Sequence, residues 1–314
     1  MLSSSARKSG VTSMSECDRE VLEKLRLSGR ILRETCEELR SFVCANMPII
    51  DVCEKAENII RKKGGKPAFP CNVSINEVAA HYTSPPNDKR RIPNNSLVKV
   101  DVGAHIDGYV TDTAFTLCFD PEHKGMVEAA EHALATAIAA IKPGISTSNL
   151  GAAIEGAIKS RGFKPVSNLT GHQIARYVLH TGTSVPNVSH ILSSKIKLGG
   201  TYAIEPFVTL PNAAGRVKNG EETTIFRLVK SRSTKNPYSK KLVKYIEENF
   251  RTLPFAERWL QGVVAQDHHQ EAFHELLKSK TLTGYPTFVE VSKKTVAQAE
   301  HTVLVVKGGC IVLT

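Results

Sequence analysis

The chain has no CxxC pair, and its cysteines are odd in number: seven, at 17, 36, 44, 53, 71, 118 and 310. That excludes a zinc-ribbon spacing, argues against a secreted disulfide framework and points to a reducing cytoplasm. No apolar run approaches the roughly 18 residues of a membrane span, so no membrane partner is expected. The N-terminus, MLSSSARKSGVTSMSE, lacks the apolar core of a secretory signal, and residues 1–17 read as a disordered tail. Acidic residues are the scarcer charge, 31 against 41 basic, and the resulting +10 favours anionic surroundings such as ribosome or RNA. What remains is ordinary globular composition, 41% hydrophobic and 23% charged over 314 residues, enough for one enzyme-sized unit with a sizeable core.

Residues 18–46 read as a helix on the stripe Leu22, Leu25, Leu32, Leu39 and Phe42. A second helix follows, capped by Asp51 and ended by Gly64-Gly65. Residues 66–120 are rich in turn residues and β-branched pairs and read as strands and loops. Residues 123–141 are helical, and IKPGISTSNLGAAIEGAIKSRGFKP is a further capped helix. That segment repeats an earlier one: shifted by 98, Val52, Ala56, Glu57, Ile60, Gly64 and Lys66-Pro67 fall on Leu150, Ile154, Glu155, Ile158, Gly162 and Lys164-Pro165. After each copy the chain turns strand-like and reaches a histidine, His81 or His180. Two related α/β halves follow, with a site between them and the two histidines facing each other. Strands resume at Gly199, a helical stretch over about 221–280 reads as an inserted subdomain, and strands close the protein.

LVKVDVGAHIDGYVTDTAFTL reads as a β-hairpin. With Ile106-Asp107 as its loop, Asp101 lies opposite Asp112; with Asp107-Gly108, the two are diagonal neighbours on one face. Like charges so placed repel unless something neutralises them, and a buried unpaired anion costs several kcal/mol. One divalent cation, or two about 3.5 to 4 Å apart, would resolve the conflict, as would a wet face or a nearby base such as Lys99. Glu205 in YAIEPFV and Glu300 in VAQAEHTVLVV are further acids in apolar strands. With His172 they complete a set dominated by hard oxygen donors, which suits Mn, Fe, Co or Zn ions better than a structural zinc site.

These residues, in this order, resemble the type II methionine aminopeptidases, particularly the short archaeal form. The resemblance covers about residues 18–314 and rests on KPAFPCNVSINEVAAHYT, KVDVGAHIDGYVTDTAFT, NLTGHQIARYVLHTG, YAIEPF and AQAEHT. It implies an α+β pita-bread fold of two pseudo-symmetric halves, with the catalytic domain spanning 18–314 and the helical insert within it. It also implies two divalent metal ions, Co, Mn, Fe or Zn, held by Asp101, Asp112, His172, Glu205 and Glu300, with Asp112 and Glu300 bridging. Two cations can hold and acidify a shared water. Glu205 then serves as general acid–base, while His180 meets the scissile carbonyl and His81 the scissile amide. Phe69, Leu179, His180, Phe207 and Tyr285 would line an apolar slot for the unbranched methionine side chain. The substrates implied are N-termini of nascent polypeptides, with the ribosome a further candidate partner, and the family form is a monomer.

Two departures stand out: Ala299, where the pattern has an aromatic in AQFEHT, and TLPNAAGRVKNG, which lacks a pocket histidine some type II enzymes carry there. An Xaa-Pro aminopeptidase or prolidase shares the five-ligand pattern, and GHQIARYVLHTG with the helical insert argues against it. A ribosome- or RNA-binding homologue without activity should have lost ligands, and none is lost. Glu271 and His274 in DHHQEAFHELL form half of a di-iron motif without its partner and read as a solvated helix face; the basic run KSRSTKNPYSKKLVK reads the same way.

Overall fold

A computed structural model describes residues 16–314 except 233, with side chains from Asp18 onward; the tail expected over 1–17 lies outside the described residues apart from helical backbone at 16 and 17. Helix α1 (Glu16–Phe42) ends earlier than the 18–46 expected, because the chain turns at Asn46 with φ 65°. Helix α2 (Ile49–Lys62) buries Ile49, Val52, Cys53, Ala56, Ile59 and Ile60, one stripe of helical period. Its N-cap is Pro48 rather than Asp51, which sits in the first turn, where a carboxylate suits the helix dipole. Gly64, at φ 86°, terminates it.

Strands β1 (Lys66–Ile75) and β2 (Val78–Ala80) lead to the hairpin β3 (Leu97–Ile106) and β4 (Tyr109–Cys118). The second half then repeats the plan. Helix α3 (Lys124–Ala140) precedes α4 (Thr147–Ser160), whose ends lie 98 residues beyond those of α2 and which Gly162 terminates at φ 80° as Gly64 does α2. Ser146 caps α4 by accepting from the Asn149 backbone N–H at 3.1 Å. Strands β5 (Lys164–Pro165), β6 (Thr170–Ile174), β7 (Ser184–Pro186), β8 (Thr201–Ile204) and β9 (Phe207–Thr209) follow.

The stretch expected to be helical over 221–280 is so only in part. Residues 221–228 belong to the twelve-residue strand β10 (Val217–Leu228), whose Thr223, Thr224, Ile225 and Phe226 favour extended backbone and pair in the sheet. Helix α5 (Pro237–Asn249), the short strand β11 (Phe255–Ala256), a 3-10 turn over Glu257–Leu260 and α6 (Gln266–Lys278) complete the segment around their own apolar cluster. Glu271 and His274 are exposed on α6. The chain ends in β12 (Leu282–Glu290), β13 (Val296–Gln298), β14 (Glu300–Val306) and β15 (Gly309–Val312).

The main sheet runs β1-β3-β4-β14-β8-β6-β7, with β15 beside β14. Helices α1 and α2 cover its first half over a core with Leu32, Leu39, Val52 and Val100; α3 and α4 cover the second over Met126, Leu150, Ile154 and Tyr202. This is the pita-bread arrangement, with the halves meeting where β4 pairs β14. A second sheet, β11-β10-β12-β2, faces the open side, and a third, β13-β9-β5, lies within the second half.

Candidate active site

The hairpin adopts the second of its two registers. Ile106 pairs Tyr109 around Asp107-Gly108, both at positive φ as a tight two-residue turn requires. Asp101 therefore opposes Ala114 and Asp112 opposes Gly103, and the two acids are diagonal neighbours. Gly103 has a second purpose: a Cβ there would meet the Phe69 ring at 2.2 Å, so only glycine lets that ring lie across the strand.

The five candidate ligands come from five adjacent strands. Asp101 is on β3, Asp112 on β4, Glu300 opens β14, Glu205 follows β8 and His172 is on β6. Single donor atoms of Asp112, His172 and Glu300 lie within 4.8 Å of one another. His172 Nε2 is 3.6 Å from Asp112 Oδ2 and 3.5 Å from Glu205 Oε1, and Asp101 is close enough to Asp112 to share a proton. Backbone and neighbours fix these groups. Thr302 accepts from the Asp112 N–H at 2.8 Å and donates to the Asp112 carbonyl at 2.7 Å; Asn72 donates to Asp101 at 3.3 Å, and Gln298 to Glu300 at 3.3 Å.

Burial, then the charge of neighbouring acids, pushes Asp101, Glu205 and Glu300 well above the usual carboxylate range, and burial raises Asp112 to about 7. Burial also lowers His172 to about 4, so it is neutral and ready to act as a donor atom. Asp101 Oδ1, Asp112 Oδ1, Glu300 Oε1 and His172 Nδ1 are buried without hydrogen-bond partners. Among the described residues, no Lys or Arg pairs with the four acids. Orphaned hard oxygen donors and one neutral imidazole, converging without a protein cation, fit divalent metal binding.

A cavity of about 730 Å³ opens over this set, and Phe69, His81, Leu179, His180, Phe207 and Tyr285 all line it. The His180 ring lies tilted at 50° beside that of His172, centroids 4.1 Å apart; the His81 ring centroid lies 4.6 Å from that of Phe288 and 5.8 Å from that of Tyr285. Burial holds His81 down at about 4, so it is neutral; His180, at an exposed position on the cavity wall, is lowered as well, by partial desolvation and by His172 and Arg227 beside it. His81 also sits at φ 67°, a conformation that a non-glycine residue keeps only where its surroundings enforce it.

The loop that follows His81 is tied down by residues that sequence patterning gave no reason to pick. Arg258, on the 3-10 turn of the insert, donates to Thr83 Oγ1 and to the Ser84 carbonyl, both at 3.1 Å, and pairs with buried Glu57 of α2. Trp259 Nε1 donates to the same carboxylate at 2.6 Å. Insert, first half and the loop after His81 are thus tied at one point. Phe288 and Arg227 also line the cavity without any periodic or motif signal in the sequence, and Asn72 lines it from within the KPAFPCNVSINEVAAHYT block, where nothing marks it from its neighbours.

The sequence model of metallopeptidase family M24 matches residues 23–307. The methionine aminopeptidase of Methanocaldococcus jannaschii is 40% identical over 295 residues, covering 94% of this chain and 99% of that protein. Among solved structures, a thermophilic Arx1 superposes with a TM-score of 0.79 at 18% identity, covering 96% of this chain and 91% of that one. The prolidase of Pyrococcus furiosus superposes at 0.60 and 16% identity, covering 94% and 64%; at such identities both likenesses concern the fold alone. Arx1 and prolidase share the architecture, whereas the methionine aminopeptidase shares sequence along nearly all of its length, which favours that activity over the prolidase and non-catalytic alternatives. The chain belongs to metallopeptidase family M24, with the methionine aminopeptidases of the short archaeal form.

Proposed function

We propose that the chain removes the initiator methionine from nascent polypeptides in the cytoplasm, acting as a monomer with two divalent cations, Co, Mn, Fe or Zn. Asp101, Asp112, His172, Glu205 and Glu300 would hold the cations, Asp112 and Glu300 as the ligands shared between them. Bound cations would supply the charge that lets these acids ionise, polarises a peptide carbonyl and acidifies water. The observation that carries this reading is the convergence of four largely buried acids that, among the described residues, no Lys or Arg balances.

Glu205, largely buried and 3.5 Å from His172, would take a proton from water and return it to the departing amine. His180, neutral and on the cavity wall, can donate to the scissile carbonyl oxygen as negative charge develops there. His81, across the cavity, can hold the scissile amide in line. Phe69, Leu179, Phe207 and Tyr285 supply an apolar wall that an unbranched thioether fills and water does not. A formal charge of +10 would favour residence near ribosomal RNA, where new N-termini emerge.

The test is hydrolysis of Met-Ala-Ser and Ala-Pro-Ser by protein stripped of metal and reloaded with each cation. Metal-dependent release of methionine with Ala-Pro-Ser untouched is expected. Cleavage of Ala-Pro-Ser instead would move the chain to the prolidase chemistry of the same fold.

A further inference from the structure

The catalytic cavity has an acidic floor and one strong base in its wall. Arg227 lies on β10 two residues beyond Ile225, on the same face of the strand, and both line the cavity. It is the one Lys or Arg among the described residues that line it. No acid pairs with its half-buried guanidinium, and no hydrogen bond ties it, among the described residues. Its strand is fixed by pairing with β12, where Arg227 faces Thr283 and Ile225 faces Tyr285. Its charge bears on His180 and Tyr285, the substrate side of the cavity.

The mouth carries more of the same sign. Val178 and Thr252 line the cavity at exposed positions, and beside them Arg176 and Arg251 lie over the Tyr177 ring at 5.7 and 4.3 Å. With the substrate amino group at the metals and methionine in the apolar slot, the rest of the peptide leaves past this wall. A half-buried guanidinium without an anion is incompletely satisfied, and a carboxylate arriving on the substrate would satisfy it through a charge-assisted pair. We propose that Arg227 forms a subsite for a carboxylate downstream of the scissile bond, so that peptides with Glu or Asp at the third or fourth position are selected over neutral ones. The direction of the peptide rests on the function proposed above.

The test compares Met-Ala-Glu-Ser-amide and Met-Ala-Ser-Glu-amide with their Gln counterparts, amidated so that the side chain is the only carboxylate. At one of the two positions the Glu peptide is expected to show kcat/KM about tenfold higher, in KM rather than kcat, with the gain shrinking at high salt. Arg227→Met brings the ratio to about one, and Arg227→Lys keeps part of it. Free-acid Met-Ala-Ser against its amide shows whether a chain terminus serves the same subsite. Equal values for Glu and Gln peptides at both positions overturn the proposal, as does a ratio that survives Arg227→Met.

Calorimetric binding of the same pairs to the Glu205→Gln protein gives a readout that needs no turnover. A binding preference shown by Glu205→Gln and lost in Glu205→Gln/Arg227→Met, while the protein with Glu205 intact cleaves none of the peptides, would support the subsite and contradict the activity. Turnover without preference would do the reverse.

Discussion

Asp101 and Asp112 stand one diagonal step apart on the same face of the β3–β4 hairpin, Asp112 buried and Asp101 partly so, with Ala114 opposite Asp101 and Gly103 opposite Asp112 as their direct partners across the strands. Two carboxylates so placed cannot both ionise in an apolar setting without a cation. Asp112→Ala should therefore abolish methionine release while leaving the fold intact. The metal-free variant should melt no lower than the metal-free parent above about pH 7, where it has one fewer buried like charge. Near-normal turnover in this variant would remove Asp112 from the metal site.

Cation binding should also depend on pH in a definite direction. In the metal-free fold Asp101, Glu205 and Glu300 are held well above the carboxylate range, and Asp112 at about 7. Each keeps a proton that the unfolded chain loses above about pH 4, so its contribution to stability falls as pH rises through the folded value. His81, His172 and His180, shifted down, act oppositely, but only up to about pH 7, where unfolded imidazole is also neutral. Lys99, lowered to about 7 by burial, opposes the acids by one proton. Cations displace the acids' protons without touching Lys99. The rise in Tm on adding Mn²⁺ should thus grow between about pH 6 and about pH 8, with protons released into weak buffer. A rise that shrinks with pH would contradict the ligand set.

His81 and Arg258 can be separated by what each variant retains. His81→Ala should lower kcat by roughly tenfold to a hundredfold with metal content unchanged, since His81 lies on the substrate side. Metal loss measured in that protein would make it a ligand. Arg258→Met should leave Glu57 buried without its main partner and cost roughly 3 to 5 kcal/mol in denaturant unfolding. An unchanged unfolding midpoint would show that the pair does not hold the insert to the first half.

Much of this layout can be read from the sequence, and the remainder fails for identifiable reasons. The 98-residue offset between halves is legible because Gly64 and Gly162 end matched apolar stripes at positive φ. The hairpin is legible, but its register is not, since either loop puts Asp101 and Asp112 on one face; Asp107 and Gly108, both at positive φ, settle it. The segment after Val217 misleads because NGEETT has the polarity of a solvated helix, and only pairing with β12 makes it a strand. Arg227 and Arg258 carry no local signal, and Asn72 none that tells it from its neighbours, for they matter only through residues distant in sequence.

Ala299 fills less space than the aromatic that the family pattern puts there. It is buried beside Glu300 and lines a further cavity of about 590 Å³ with Cys36, Arg40, Phe115, Leu134, Ile138 and Glu300 itself. Glu300 is the one residue that lines both this cavity and the catalytic one, so Ala299→Phe should stabilise the fold by about 1 to 2 kcal/mol in denaturant unfolding, and any change in cation affinity would pass through Glu300. Destabilisation would mean that the cavity has closed around the smaller residue.

The most direct measurement is anomalous diffraction from crystals grown with Mn²⁺. The account predicts two peaks about 3.5 to 4 Å apart among Asp101, Asp112, His172, Glu205 and Glu300, with Asp112 and Glu300 touching both. A single peak, or none within reach of these five side chains, would contradict it.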